Sequence, residues 1–207
     1  MNKILEGKKI AVLVETEYIE SEVKYYKEYF TSYGAEVEFM TYLWGKPERT
    51  IVGDVTEDNQ TIPSMVVKKD IADCNPNDYA IVLTAANYVA CRLREIPPMG
   101  SLGDASLLRS PAAVRFMAGA MMNPQIVKGA LSHALWILTP VPELLMGRKV
   151  ICHTVVLADV INAGGIYVPD KSHVVVDKDL VTGRSAADLE IYCESILATY
   201  RRINSRG

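Results

Sequence analysis

Gln125-Ile126-Val127-Lys128-Gly129-Ala130-Leu131-Ser132-His133-Ala134-Leu135-Trp136-Ile137-Leu138 decides the fold. Its first half, Gln125–Leu131, reads as a short apolar strand, and it runs without a spacer into a helical stretch, His133–Leu138. A strand that turns straight into a helix is the unit of an α/β fold. The rest of the chain repeats that alternation. Lys9–Glu15 (KIAVLVE), Ala35–Met40, Ala80–Thr84 and Lys149–His153 read as strands. Glu20–Gly34, Ala105–Met122, Val155–Ala163 and Ala186–Arg202 read as helices. Thr50–Lys69 reads as a hairpin-like excursion, and His173–Asp177 with Leu180–Thr182 as a hairpin around Lys178-Asp179. Strands alternating with helices imply a mostly parallel sheet covered on both faces, hence a three-layer α/β sandwich over residues 1–207. Val89–Gly103 carries Pro97, Pro98, Gly100 and Gly103 and reads as a long loop.

Composition narrows the function classes. The chain has 207 residues, 49% of them hydrophobic and 23% charged, with a net charge of −3. That describes an ordinary folded domain and gives no electrostatic case for a nucleic-acid partner. The apolar runs Ala80–Ala86 and Ala134–Leu138 fall far short of the roughly 20 residues a membrane helix needs. Met1–Lys9 lacks the apolar core of a secretory signal, so the sequence reads as cytoplasmic. Cys74, Cys91, Cys152 and Cys193 form no CxxC pair and read as free thiols. Asn59-Gln60-Thr61 matches a glycosylation sequon that has no use without a secretory route. There is no GxGxxG and no P-loop, and His133, His153 and His173 are not spaced as metal ligands. No cofactor or metal is expected.

In an open parallel sheet the ligand crevice lies beyond the carboxyl ends of the strands. The residues to weigh are therefore Glu15–Glu22, Ala85–Tyr88, Ser132-His133, His153-Thr154 and Gly183–Ser185. Ser132 is the leading candidate. A nucleophile on a strand-to-helix elbow needs small neighbours two places away on each side, and Ala130 and Ala134 meet that need. Serine as a plain helix N-cap is the competing reading. Glu15, Glu17, Glu20 and Glu22 crowd the first turn after strand one. The helix dipole accounts for acidic residues there, while one aimed at residue 132 would be a general acid or base. His133 and His153 both fall where they could face the crevice, and His173 reads as a surface residue.

Taken together, Lys9–Glu22, Ala130–Leu138 (ALSHALWIL) and Gly147–Asp188 (GRKVICHTVVLADVINAGGIYV, then VVVDKDLVTGRSAAD) resemble the ThiJ/PfpI superfamily, relatives of class I glutamine amidotransferase domains. The resemblance implies a flavodoxin-like sandwich and assigns roles to individual residues. Ser132 occupies the position of the family's cysteine nucleophile, His133 the adjacent histidine, and Glu22 the glutamate that shares a hydrogen bond with that cysteine. Ala85 and Ala86 fall where many members have glycines whose N–H groups help form an oxyanion hole. Arg184 matches an arginine beyond the last strand. The resemblance further implies a homodimer or larger homo-oligomer acting on a small-molecule substrate. Ala85, Ala86 and Ala134 depart from the family's glycines, and Ser132 departs from its cysteine. A thiol is ionised far more readily than a hydroxyl, which needs a base during attack. Three readings of position 132 follow: a cysteine replaced by serine, a native serine hydrolase on this scaffold, or a non-catalytic relative. The implied functions are a small-molecule hydrolase, hydratase or lyase, with Glu22 as proton shuttle. A stress or redox sensor, a ligand-binding module and an intracellular peptidase are the alternatives. Trp136 and Tyr88 would narrow the site, which disfavours peptides.

Overall fold

The computed structural model describes residues 3–55, 61–100, 102–171 and 173–205. The apolar strands form first neighbours in one six-stranded sheet. Its members in chain order are β1 (Lys9–Leu13), β2 (Glu36–Met40), β5 (Ile81–Thr84), β6 (Val127–Leu131), β9 (Val174–Asp177) and β10 (Leu180–Gly183). The lateral order is β2-β1-β5-β6-β10-β9. Every pairing is parallel except β10 with β9. All residues of β5, β6 and β10 are buried, which requires cover on both faces and explains why they are mostly apolar, with Thr84, Lys128 and Thr182 as the polar members. This is the mostly parallel α/β sandwich expected from the sequence.

Helix α1 (Glu20–Ser32) buries Glu22, Val23, Tyr26 and Phe30, a stripe at helical spacing. It packs with α5 (Leu189–Asn204) against the sheet. Gly129 lets α5 come close: a Cβ there would stand 2.4 Å from the Tyr192 hydroxyl and 2.5 Å from Leu83. Helices α2 (Val89–Leu93), α3 (Ala112–Met122) and α4 (Thr154–Asn162) gather around the turn at Ala134–Leu138. The excursion is an antiparallel pair, β3 (Arg49–Val52) with β4 (Ser64–Val67). Residues 56–60 between them lie outside the described residues, and with them most of the sequon.

Several element readings are corrected. The stretch 89–103 is not all loop, because Val89, Ala90 and Leu93 bury one face of α2. The helix expected from Ala105 starts at Ala112. Pro111 disfavours helical backbone at Ser110 and leaves only a 3-10 turn at Ala105–Leu107. Residues Ala134–Leu138 are a 3-10 turn rather than an α-helix. Of Lys149–His153 only Lys149–Val150 (β7) is a strand. It pairs with β8 (Ile166–Tyr167) outside the main sheet. The closing helix begins at Leu189, after a 3-10 turn whose capping box joins Ser185 and Asp188. The four cysteines are free thiols. No helix among the described residues is long and apolar enough to cross a membrane.

Candidate functional site

Register brings the carboxyl ends of the strands level. Thr84 stands beside both Leu13 and Ala130, and Leu131 beside Gly183. The next residues along each chain segment therefore share one edge of the sheet: Glu15, Ala85, Ser132 and Arg184.

Ser132 leaves β6 with φ +58°, in the left-handed region that residues with a side chain seldom enter. The strain is held in place by two flanking hydrogen bonds. Its N–H donates to the Gly183 carbonyl at 2.8 Å, and its carbonyl accepts from the His153 N–H at 3.2 Å. Strain of this kind costs roughly 1–3 kcal/mol and persists where surroundings enforce it. The N-cap reading of Ser132 is corrected here. The cap of the following turn is His133, and no side chain caps it. Instead the Ser132 hydroxyl lies 2.9 Å from Nδ1 of His133.

His133 is half-buried, and burial lowers its pKa from 6.5, with the neighbouring His153 adding to the effect. It is neutral at neutral pH. As the Nε2–H tautomer it accepts the Ser132 O–H on Nδ1. The ring stacks on His153 with centroids 4.7 Å apart and 17° between planes. Tyr88 at 5.7 Å and Trp136 at 5.5 Å complete an aromatic wall around it. His153 caps α4, its Nδ1 accepting from the Val155 N–H at 3.2 Å. Both histidines, expected from sequence to be placed where they could face the crevice, lie side by side next to the elbow. His173 is farther along the chain edge, at φ +58°, with Nδ1 2.9 Å from Asp188.

Glu22 is fully buried on α1. Burial raises its pKa from 4.5 to about 7, against the lowering effect of hydrogen bonds from Tyr26 and Ala86. The Tyr26 hydroxyl donates to it at 2.7 Å, and the Ala86 N–H sits 3.0 Å from both carboxylate oxygens. No hydrogen bond joins Glu22 to Ser132 among the described residues. The Ala85 N–H is spent on the Leu13 carbonyl at 3.0 Å. Both N–H groups that the resemblance assigns to an oxyanion hole thus have protein acceptors. The His133 N–H makes no hydrogen bond among the described residues. Arg184 donates its N–H to the His173 carbonyl at 2.9 Å, and its side chain is exposed.

The remaining glutamates do three different jobs, more than the helix dipole accounts for. Glu15 is buried and holds the excursion: Arg49 Nη1 lies 2.6 Å from it and the Thr41 hydroxyl donates at 2.8 Å. Glu17, at φ +72°, accepts from Arg92 at 2.8 Å. Glu20 sits in the first turn of α1 and pairs with Lys24 at 2.9 Å. Tyr26 was not singled out by sequence. Its position four residues after Glu22, on the same helix face, is the signal that marks it. Asn87, at φ +60°, also joins the crevice by donating to the Glu17 carbonyl at 2.8 Å. No group of three or more His, Cys, Asp or Glu among the described residues is arranged to hold a metal.

Comparison with known proteins bears on this geometry. The model of the DJ-1/PfpI family matches residues 98–199, which include Ser132, His133, His153 and Arg184. No curated protein sequence matches the chain significantly. Among solved structures, a two-domain protein of Anabaena variabilis with dj-1/thij/pfpi-like and ferritin-like domains superposes at a TM-score of 0.74 and 22% identity. It covers 92% of this chain, which spans only 47% of that one. A ThiJ/PfpI domain protein of Brachyspira murdochii gives 0.73 at 11% identity, covering 95% of this chain and 98% of that one. Schizosaccharomyces pombe DJ-1 gives 0.67 at 13%, covering 96% and 97%. At such identities the structures speak for the fold, and the sequence match over residues 98–199, which holds the elbow and the final hairpin, supports the DJ-1/PfpI superfamily for this chain.

Proposed function

We propose that the chain is an enzyme of the ThiJ/PfpI type, a hydrolase, hydratase or lyase acting on a small molecule through residue 132. The observation that carries this reading is the strained Ser132, whose hydroxyl points at a neutral histidine nitrogen 2.9 Å away. Attack by the Ser132 oxygen on an electrophilic carbon would pass the hydroxyl proton to Nδ1 of His133. The electron pair displaced onto the substrate heteroatom would meet the unspent His133 N–H. Ala86 can offer a second N–H only after Glu22 releases it. Glu22, with a pKa of about 7, suits a proton shuttle at neutral pH. The aromatic wall of Tyr88 and Trp136 favours a small substrate over a peptide.

One observation favours a second reading, a ligand-binding module: Glu22 already occupies the Ala86 N–H. The homodimer expected from the resemblance belongs to the same proposal. Exposed Met146, Val155, Ile161 and Ile166 would supply apolar surface for it, and light scattering of the purified chain tests it. Turnover on a panel of small carbonyls, amides and nitriles separates the two functional readings. The native chain, Ser132→Ala and Ser132→Cys are compared. Turnover by the native chain that Ser132→Ala abolishes supports the enzyme. Turnover by Ser132→Cys alone supports a cysteine mechanism lost in this chain. Inert native and cysteine proteins whose melting temperature rises with a panel compound support the binding module.

A further inference from the structure

Behind the aromatic wall lies a cleft of about 860 Å³, between α2, the 134–142 segment and α4. Four charged side chains line it, and one of them, Arg92, is ion-paired among the described residues. Arg92 pairs with Glu17 at 2.8 Å, Glu95 accepts from the Gly100 N–H at 2.9 Å, and Asp159 accepts from the Trp136 indole at 2.7 Å. Arg94 is the cation of the cleft without an ion pair among the described residues. One of its N–H groups donates to the Trp136 carbonyl at 3.2 Å. A guanidinium carries five N–H donors, so most of this fork is unspent. The side chain is half-buried, and burial pushes its pKa down from the usual arginine value. Asp159 on the cleft wall acts on this guanidinium only beyond ion-pair distance, so its free donors are open to an anionic group that enters the cleft.

We propose that this cleft binds a small organic carboxylate with an apolar body, the carboxylate forked by Arg94 and the body lying against Trp136, Leu108 and Pro142. The planar fork of arginine matches a carboxylate with two parallel hydrogen bonds. The volume falls in the range of small-molecule sites. Trp136, which lines the cleft, also lies beside His133 with ring centroids 5.5 Å apart, so the cleft adjoins the elbow. The proposal does not depend on chemistry at Ser132.

Isothermal titration tests it with benzoate, phenylacetate and isovalerate, their primary amides, and inorganic phosphate. The native chain, Arg94→Met, Arg94→Lys and Ser132→Ala are compared. A parallel readout is the alkylation rate of Cys91, an exposed thiol on the cleft wall. The expected result is carboxylate binding at least about tenfold tighter than the matching amide, with loss of about tenfold or more in Arg94→Met. Arg94→Lys should retain part of the affinity and Ser132→Ala all of it, and carboxylates should slow Cys91 alkylation in the native chain. Equal binding of acids and amides, or undiminished binding by folded Arg94→Met, overturns the proposal. So does the absence of any carboxylate binding or Cys91 protection, or loss in Ser132→Ala alone. Phosphate binding as tightly as the carboxylates overturns the assigned ligand class. If Arg94→Met fails to fold, the acid–amide comparison and Cys91 protection in the native chain decide the matter.

Discussion

The two ends of β6 are made of the same apolar strand and solve opposite problems. Near its start Lys128 is fully buried, yet its ammonium bonds to Asp179 and to the Asn123 carbonyl at 2.9 Å. Arg148 extends the cluster to Asp179 at 2.8 Å and Asp177 at 2.8 Å. Every charge there meets an opposite charge, and the cluster ties β6, the β9–β10 hairpin and β7 together. At the far end Ser132 is strained, His133 is held neutral, and Glu22 is a buried carboxyl without a cation. The difference teaches how to separate structure from site on one strand. A buried polar group whose partners close around it holds the fold. One left strained or uncompensated marks a candidate site.

The contrast can be broken most forcefully at the closed end. Lys128→Ala leaves Asp179 buried beside a single arginine, and about 3–5 kcal/mol of stability should be lost in urea titrations. A loss below about 1 kcal/mol would erase the distinction between the two ends.

Glu22 gives the next largest effect. Its folded pKa of about 7 lies above the unfolded value of 4.5, so the native state holds the proton more tightly. The resulting stability is complete below about pH 4.5 and is lost as pH rises through about 7, a change of about 3 kcal/mol. Glu22→Gln should remove that slope. His133, with its pKa lowered from 6.5, adds a slope of opposite sign below that value, but equally in both proteins. The difference between their pH–stability curves therefore isolates Glu22, and parallel curves would contradict the assignment.

Gly129 lies midway along the strand. Gly129→Ala would push a methyl to within 2.4 Å of the Tyr192 hydroxyl and should cost about 1–3 kcal/mol in thermal or urea unfolding. The smallest effect has the opposite sign. Ser132→Gly relieves the positive φ and should raise stability by about 1 kcal/mol while removing the attacking group. Destabilisation by this change would mean that the serine conformation is supported rather than strained.

Much of this was legible in the sequence where local pattern and final structure agree. The apolar runs of β1, β5 and β6 mark buried parallel strands, and Ala130 and Ala134 frame the elbow. Lys178-Asp179 marks the last hairpin. Legibility failed where a segment's surroundings overruled its pattern. Residues 149–153 are apolar enough for a strand, but after Val150 the Ile151 N–H turns to the Thr182 hydroxyl at 2.9 Å, and the chain crosses the end of the sheet instead of joining it. Residues 134–138 look helical and tighten into a 3-10 turn around Trp136. The site was half legible. Ser132 and its histidines were found from position, and Glu22 from resemblance. The Tyr26 bond was there to read in the i,i+4 spacing from Glu22, whereas the claim of Glu22 on the Ala86 N–H and the setting of Arg94 depend on contacts between segments far apart in the chain.

The central claim is that Ser132 is an activated nucleophile with His133 as its base, and it can be tested without knowing the substrate. The folded chain is treated near pH 7.5 with an activated fluorophosphonate, and the adduct is located by peptide mass spectrometry. The account predicts a single adduct at Ser132, formed far more slowly in His133→Ala and absent in Ser132→Ala. No adduct, or one formed equally fast without His133, would contradict it.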